Sequence, residues 1–474
     1  MILKKSLTLQ HRPYYGLSTT LISNLLIPKL LKMTTKTQPK GNVVAIITMF
    51  FIFAMISFVT NMAAPFGNIW GFRYEWAGMA GNLMNFTAYL FMGIPAGNML
   101  IRYGYKKTAL IALAVGAIGL GIQLLSSVVG ADVIVIGGEN PTTLNLFIYL
   151  LGALVCGFCV CMLNTVVNPM LNLLGGGGNK GNQLIQTGGT LNSLSGTLTP
   201  MLVGVLVGTL TKETTMAAVA PLVVTGIVIF VLAFIIISFV KIPEPQSNLH
   251  KAKYEHSPLA FRHCLLGVIA IFFYVGIEIG IPGEMNAWIS RENFEGAAAV
   301  AGSLAALYWL MMLVGRFLSS IISGKVSTRA QMVTVSTVAI VLVLIAILLP
   351  ESITFKSPEI QALNITSGEV PMKCLFLFLC GLCTSVMWGG IFNLATEGLG
   401  KYTAKASGLF MMMVVGGGIM PYIQDYIGRT VGYVSSYWLV FAMLVYILFY
   451  SLVGSKNVNG DIPVDEEPID ARNL

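Results

Sequence analysis

The sequence predicts an all-α membrane protein in which twelve transmembrane helices form two pseudo-symmetric halves of six. Three observations carry this prediction: the composition, the length of the apolar runs and an internal repeat. Of the 474 residues, 55% are hydrophobic and only 10% are charged, whereas a soluble domain carries roughly 25% charged residues. The composition therefore excludes a soluble enzyme, a nucleic-acid-binding protein and a secreted disulfide scaffold.

Apolar runs fill nearly the whole chain, and each is long enough, at about 20 residues, to cross a bilayer core. The first six runs lie near residues 43–63, 76–100, 108–127, 144–163, 184–208 and 221–240. The second six lie near residues 264–280, 298–322, 333–349, 374–394, 407–426 and 436–453. We therefore expect a basic N-terminal lead at 1–42, one half at 43–240, a cytoplasmic linker at 241–263, a second half at 264–453 and a cytoplasmic tail at 454–474.

The N-terminal lead has two interpretations. Its first 32 residues contain no acid, and their apolar patch at residues 21–31 is too short to span a bilayer. The lead is either an interfacial basic segment or the product of an over-called reading frame whose true start is Met33. The second interpretation is favoured, and neither gives the lead a function.

The basic residues predict the orientation. If both termini are cytoplasmic, 22 of the 28 Lys and Arg residues fall on cytoplasmic segments and adjoining helix ends, and six fall on the other side. Cytoplasmic loops carry such an excess of Lys and Arg. We therefore expect a multi-pass protein of the cytoplasmic (inner) membrane with both termini inside.

An internal repeat indicates two related halves. Three pairs of segments match at offsets of 217, 224 and 221 residues: Asn61-Met-Ala-Ala-Pro65 with Glu278-Ile-Gly-Ile-Pro282, Cys156-Gly-Phe-Cys159 with Cys380-Gly-Leu-Cys383, and Gly196-Thr-Leu-Thr-Pro200 with Gly417-Gly-Ile-Met-Pro421. Each match alone could arise by chance. Three matches in order favour two parallel halves with a binding site between them.

One acidic residue stands out as a candidate for ion coupling. Four acids fall within or near the predicted spans: Glu278, Glu284, Glu397 and Asp425. An ionisable group in the membrane costs about 2.5 to 3.5 kcal/mol on insertion scales and is a functional candidate. Glu278 lies past the middle of its span, and Pro282 is expected to interrupt the helix after it. We expect Glu278 to carry a proton or bind a cation; the alternative is a structural acid bonded to a neighbouring helix.

Amide and aromatic side chains at membrane depth suggest the ligand. Amides hydrogen-bond hydroxyl groups, and aromatic rings stack on the apolar face of a sugar. Each of these residues could instead hold helices together, but their number favours a neutral, polyhydroxylated ligand. The predicted substrate-binding residues are Asn61, Asn82, Asn85, Tyr89, Asn164, Gln186, Asn192, Tyr274, Trp388 and Asn393.

The loop between the second and third spans carries a family signature. It reads Gly97-Asn-Met-Leu-Ile-Arg102-Tyr-Gly104-Tyr-Lys106-Lys107. This segment resembles the loop signature of the major facilitator superfamily, with Ile101 where that signature usually has an Asp. The resemblance implies the major facilitator fold and a gating set consisting of Gly97, Arg102, Gly104, Lys106, Lys107 and Arg316.

Further motifs narrow the resemblance. They are Tyr89-Leu-Phe-Met-Gly-Ile-Pro95-Ala96, Val167-Asn168-Pro169, Asn192-Ser193, Tyr274-Val-Gly276, Gly315-Arg316-Phe317 and Gly416-Gly-Gly-Ile-Met-Pro421. Together they look like the fucose:proton symporter family of bacterial sugar permeases. Fucose permeases have acids on the transport path where this chain has Asn61 and Asn164. Either Glu278 replaces them, or sodium is the coupling ion, or transport is downhill.

The expected function is that of a secondary active transporter that imports a neutral sugar, a hexose-type monosaccharide or small oligosaccharide, by alternating access. Its expected partners are the sugar, a coupling cation (proton or sodium) and membrane lipid; we expect a monomer with no cofactor, no metal and no nucleic acid. The alternatives are an exporter of drug-like or amphipathic molecules and an uncoupled sugar uniporter. An intramembrane enzyme is not expected, because all four histidines lie outside the predicted spans.

Overall fold

The computed structural model describes residues 40–74, 77, 80–138, 141–206, 215–242, 244, 255–363 and 365–464. Within these ranges the long elements are all helices. Residues 1–39 of the predicted lead, 245–254 of the linker and 465–474 of the tail lie outside the described residues, so the predicted domain bounds stay predictions.

Five helices form the first half: α1 (Lys40–Arg73), α2 (Ala80–Leu125), α3 (Leu144–Leu174), α4 (Gly178–Leu206) and α5 (Ala220–Phe239). Seven form the second: α6 (Arg262–Ile289), α7 (Ala297–Ile322), α8 (Thr328–Leu348), α9 (Lys373–Thr396), α10 (Thr403–Met412), α11 (Gly416–Thr430) and α12 (Tyr433–Phe449). Two short antiparallel hairpins join spans: β1 (Ile134–Ile136) with β2 (Thr142–Thr143), and β3 (Thr354–Lys356) with β4 (Glu369–Pro371).

These helices make twelve spans. In the described part of the chain, 10 helices are long and apolar enough to cross a membrane. The 46-residue α2 contains two spans, because Gly104 (φ 81, ψ 177) breaks its helical geometry. Helix α4 is long enough but rich in Asn, Gln, Ser and Thr, and α10 and α11 form one span across a 3-10 turn at Met413–Val415. The predicted fold class is confirmed.

The predicted interruption of the seventh span is wrong. Helix α6 runs through Pro282 without a break and ends at Ile289. A proline removes one backbone hydrogen bond, and transmembrane helices tolerate this loss because their neighbours satisfy the freed carbonyl. Here the Tyr437 hydroxyl of α12 donates to the carbonyl oxygen of Ile281 at 3.0 Å. The helix is therefore supported from the side where it lacks its own bond.

The two halves meet closely at the membrane face where α1 begins and α12 ends, which we call the terminal face. There the Gln183 side chain of α4 donates to the Ser320 carbonyl oxygen of α7 at 2.9 Å. Asn393 of α9 donates to Asn172 Oδ1 of α3 at 2.9 Å. These bonds join spans from different halves, so they must break before this face can open.

Glycines bring the two halves into backbone contact at the same face. A Cβ atom on Gly97 of α2 would lie 3.1 Å from Gly408 Cα and 3.0 Å from the Ala404 carbonyl oxygen of α10. A Cβ on Gly93 would lie 2.6 Å from the Gly408 carbonyl oxygen. Real Cβ atoms do not approach backbone that closely, so only glycine allows this packing. The structure is closed at the terminal face.

Candidate functional site

A buried ion pair lies at the centre of the second half. Arg316 Nη2 of α7 lies 3.2 Å from Glu278 Oε1 of α6, and the two side chains are 11% and 13% exposed. A charge buried away from water is stable only when it is paired or bonded. Arg316 therefore supplies the counter-charge that keeps Glu278 ionised inside the membrane.

Arg316 also reaches into the first half. Its Nη1 donates to Ser193 Oγ at 2.7 Å and to the Gly189 carbonyl oxygen at 3.4 Å, both on α4. Gly189 leaves space for the arginine, because a Cβ there would lie 3.4 Å from Arg316 Cδ. The guanidinium thus connects Glu278 to the opposite half of the protein.

Two aromatic residues lie beside the ion pair. Tyr274 precedes Glu278 by one helical turn and is fully buried. Its hydroxyl faces the Glu278 carboxylate but makes no hydrogen bond with any described residue. The ring of Trp388 on α9 packs at a tilt against Tyr274, with 6.2 Å between the ring centroids. The aromatic pair therefore adjoins the carboxylate on the side away from Arg316's contact with α4.

From Trp388 a series of hydrogen bonds continues into the first half. Trp388 Nε1 donates to Asn168 Oδ1 at 3.0 Å, and Asn168 Nδ2 donates to the Asn164 carbonyl oxygen at 2.9 Å. Asn164 Nδ2 donates to the Tyr89 hydroxyl at 2.9 Å. We call the whole connected set the central polar chain; its members are Tyr89, Asn164, Asn168, Trp388, Tyr274, Glu278, Arg316 and Ser193.

Three other predicted binding residues lie on α1 and α4 and contact helix backbone. Asn61 Nδ2 donates to the Ser57 carbonyl oxygen of its own helix at 2.8 Å. Asn192 donates to the Phe53 carbonyl oxygen at 2.8 Å, and Gln186 to the Val386 carbonyl oxygen at 2.9 Å. These bonds hold helices together in this conformation, as the alternative interpretation of such amides expects.

The remaining predicted binding residues lie at the two ends of the spans. Asn82 is half-buried and Asn85 is buried in the first turns of α2. Asn85 Oδ1 has no hydrogen-bond partner among the described residues. Asn393 lies at the terminal face, where it also donates to the Gly178 carbonyl oxygen at 3.1 Å. The structure therefore gives Asn393 a place in the seal between the halves, away from the central polar chain.

Sequence reasoning did not select Asn168 or Ser193 as site residues. Asn168 follows Asn164 by four residues, so both lie on one face of α3, and this spacing could have identified it. Ser193 adjoins Asn192, but only the position of Arg316 in the other half distinguishes the serine from its neighbour. Its role depends on a contact across 123 residues.

The predicted gating loop is bound by the linker between the halves. Glu244 accepts hydrogen bonds from the backbone N–H groups of Tyr105 and Lys106, each at 2.8 Å. These groups begin the third span, where N–H donors lack helical partners and a negative charge is favourable. The Lys106 ammonium donates to the Ser238 carbonyl oxygen at 2.7 Å. Glu244 thus supplies a carboxylate to the loop that lacks one at Ile101.

The other loop residues take separate positions. Gly104 makes the turn at φ 81 and lies against the Glu244 carboxylate. Arg102 is exposed and stacks on Tyr103, with 5.5 Å from its guanidinium carbon to the ring centre. Lys107 is exposed. Gly97 packs on α10, while Arg316 belongs to the central polar chain.

Replacing Glu244 with glutamine is expected to destabilise the protein by about 1 to 2 kcal/mol, because two charge-assisted bonds to a helix start weaken. Thermal unfolding in detergent measures the change. Glu255→Gln, at an exposed linker carboxylate, is the matched control. An equal effect of both substitutions would contradict a specific role for Glu244.

The described residues contain no group of three or more His, Cys, Asp or Glu side chains that could hold a metal ion. The seven cysteines are free and buried. Burial of a thiol among apolar neighbours makes it a small packing residue.

Twelve spans in two halves, joined by a buried polar chain, define a multi-pass membrane transporter. The model of the Major Facilitator Superfamily matches residues 44–421, and the chain belongs to that family. It is 27% identical over 444 residues to a glucose/galactose transporter of Brucella abortus biovar 1 (strain 9-941), which covers 91% of this chain and 99% of that protein.

Solved structures show the same fold. The Escherichia coli fucose:proton symporter superposes with a TM-score of 0.72 at 16% identity, covering 88% of this chain and 100% of that one. A proton:xylose symporter superposes with a TM-score of 0.63 at 10% identity, covering 86% and 95%. The major facilitator fold implied by the sequence motifs is confirmed.

Proposed function

We propose that this protein imports a neutral hexose-type sugar across the cytoplasmic membrane by alternating access, coupled to protons. The observation that carries the proposal is the central polar chain, in which amides and an indole adjoin a buried ion pair between the two halves. The naming of the Brucella relative as a glucose/galactose transporter supports the sugar. The protein acts as a monomer in lipid and does no chemistry on its substrate.

The binding part of the chain combines the two contacts that a sugar needs. Asn164 and Asn168 offer amide donors and acceptors for hydroxyl groups, and Trp388 and Tyr274 offer ring faces. In the closed form these amides bond each other and Tyr89, as measured above. A sugar replaces these bonds with its own hydroxyls, so binding requires no buried amide to lose its partners.

The chemistry of the ion pair favours a proton over sodium as the coupling ion at Glu278. The Arg316 guanidinium already compensates the carboxylate, so a sodium ion there would meet a neutral pair. A proton on Glu278 removes the negative charge and leaves Arg316 with only its bonds to α4. Protonation therefore changes how Arg316 holds the halves together, which is the differential interaction that coupling requires.

The orientation follows from the basic residues. We assign the terminal face to the cytoplasm, because Lys and Arg concentrate there. The closed seal at that face then corresponds to a state that cannot release sugar inward. Import proceeds when the bonds between the halves move to the opposite side.

Counterflow in proteoliposomes with a panel of monosaccharides and disaccharides tests the proposed function. We expect exchange of glucose or galactose, and uphill uptake that needs a proton gradient and no sodium. Transport of amphipathic dyes in place of sugars would support the exporter instead. Equal uptake with and without gradients would support a uniporter.

Replacing Trp388 with alanine is expected to weaken sugar binding about 10- to 100-fold, because the substitution removes a stacking face and the bond to Asn168. Equilibrium binding of labelled sugar measures the change. Trp388→Phe keeps the ring and is expected to lose less affinity. Trp438→Ala, at a 47% exposed tryptophan, is the control; a loss as large as that of Trp388→Ala would contradict the assignment.

A further inference from the structure

A second buried acid lies at the membrane face opposite the terminal face, where α6, α11 and α12 meet. Glu284 of α6 is 3% exposed and Gln424 of α11 is 0% exposed. The Oε1 atom of each side chain has no hydrogen-bond partner among the described residues. Two buried acceptor oxygens without donors mark a place where a positively charged group is missing.

The two helices are shaped to admit these side chains. Glu284 Oε1 lies against Gly428 of α11, in the space that a Cβ atom would fill. In the same way Gln424 Oε1 lies against Gly280 of α6. Each polar side chain thus occupies a glycine notch in the facing helix. The side chains point between the helices, and neither reaches solvent.

A third oxygen connects the pair. Ser436 of α12 faces the Glu284 carboxylate, and its hydroxyl oxygen accepts a bond from Gln424 Nε2 at 3.5 Å. The Ser436 hydroxyl proton is directed to the Tyr433 carbonyl oxygen at 2.7 Å. Its remaining lone pair is therefore available toward Glu284.

The cationic side chains nearby are engaged elsewhere. Arg429 forms a salt bridge with Asp425 at 2.8 Å. Arg291 stacks on the Tyr433 ring, with 5.4 Å to the ring centre. Within the described residues, no Lys, Arg or His lies within 4.0 Å of the Glu284 carboxylate. In this respect Glu284 differs from Glu278, whose charge Arg316 compensates.

We propose that Glu284, Gln424 and Ser436 bind a sodium ion. Hard cations take carboxylate, amide and hydroxyl oxygens as ligands. One carboxylate balances one positive charge, whereas a divalent ion would leave a buried excess charge. A single proton on Glu284 would serve one acceptor and leave the Gln424 oxygen unsatisfied. The site is separate from the central polar chain and goes beyond the proposed sugar transport.

Equilibrium binding of radioactive sodium to the purified full-length protein, without sugar, tests this site. We expect saturable binding of one ion per chain, with affinity at least about tenfold weaker in Glu284→Gln. This variant keeps the size of the side chain and loses its charge. Glu292→Gln, at an exposed carboxylate after the end of α6, is the matched control and is expected to bind sodium normally.

Ser436→Ala gives a second test, because it removes one small ligand and is tolerated better by a packed helix. We expect a loss of affinity about two- to fivefold, smaller than that of Glu284→Gln. Sodium chloride is also expected to raise the unfolding temperature of the native protein above its value in choline chloride, and to do so less in both variants.

Absence of saturable sodium binding would overturn the proposal, and so would undiminished binding by Glu284→Gln. Binding lost in Glu278→Gln but kept in Glu284→Gln would move the ion to the central polar chain and likewise overturn it. Because no sugar is present, each of these results leaves the proposed sugar transport to be judged by counterflow.

Discussion

Replacing Glu278 with glutamine is expected to abolish uphill sugar accumulation and to leave counterflow partly intact. Glutamine has the shape of the protonated acid but cannot gain or lose a proton, so it removes the coupling step and keeps the binding site. The Arg316 side chain loses its counter-charge and keeps its bonds to α4. Uptake against a gradient and exchange, measured in the same proteoliposomes, separate the two effects.

The matched control for Glu278 is Glu397→Gln, at an exposed carboxylate at the end of α9. It is expected to accumulate sugar normally. Unchanged uphill uptake by Glu278→Gln would remove Glu278 from the mechanism. Loss of both uptake and counterflow would instead give the carboxylate a binding role.

Replacing Arg316 with methionine is expected to destabilise the protein by about 3 to 5 kcal/mol, because the substitution leaves an unpaired charge in the interior. The double variant Glu278→Gln with Arg316→Met is expected to be more stable than Arg316→Met alone, since no buried charge remains. Thermal unfolding of the four proteins in detergent gives the coupling between the two residues.

An exposed ion pair provides the control for this cycle. Arg429 and Asp425 lie 2.8 Å apart, but the arginine side chain is 59% exposed. Surface pairs of this kind contribute about 0 to 1 kcal/mol, so Arg429→Met is expected to change stability little. If the effects of Glu278→Gln and Arg316→Met simply add, the pair is not a coupled unit.

The spans were predictable because the bilayer imposes a length and a composition on them. The limits of this argument show at α4, which crosses the structure although its amides lower its hydropathy; the repeat and the even count of spans located it. Pro282 misled the prediction, since the effect of a proline depends on what its neighbours can donate. Tyr437, 156 residues away, provides the donor.

The candidate site was predictable in its residue types and less so in its connections. Glu278, Trp388, Asn164, Tyr274 and Tyr89 were chosen from the sequence, and the structure brings them together. The counter-ion Arg316 and the cap Glu244 were not found, because pairing across more than 30 residues depends on the helix packing. Asn393 shows the converse: an amide at the right depth in its span can serve the contact between the halves.

The glycine contact between α2 and α10 has a consequence for the resting state. At Gly93, Gly97 and Gly408 the two halves approach so closely that hydrogen atoms are the only side chains with room. One added methyl group would act as a wedge that disfavours this arrangement and leaves its inverse untouched. The balance between the two orientations of the machine is thus held by three of the smallest substituents that a polypeptide can carry.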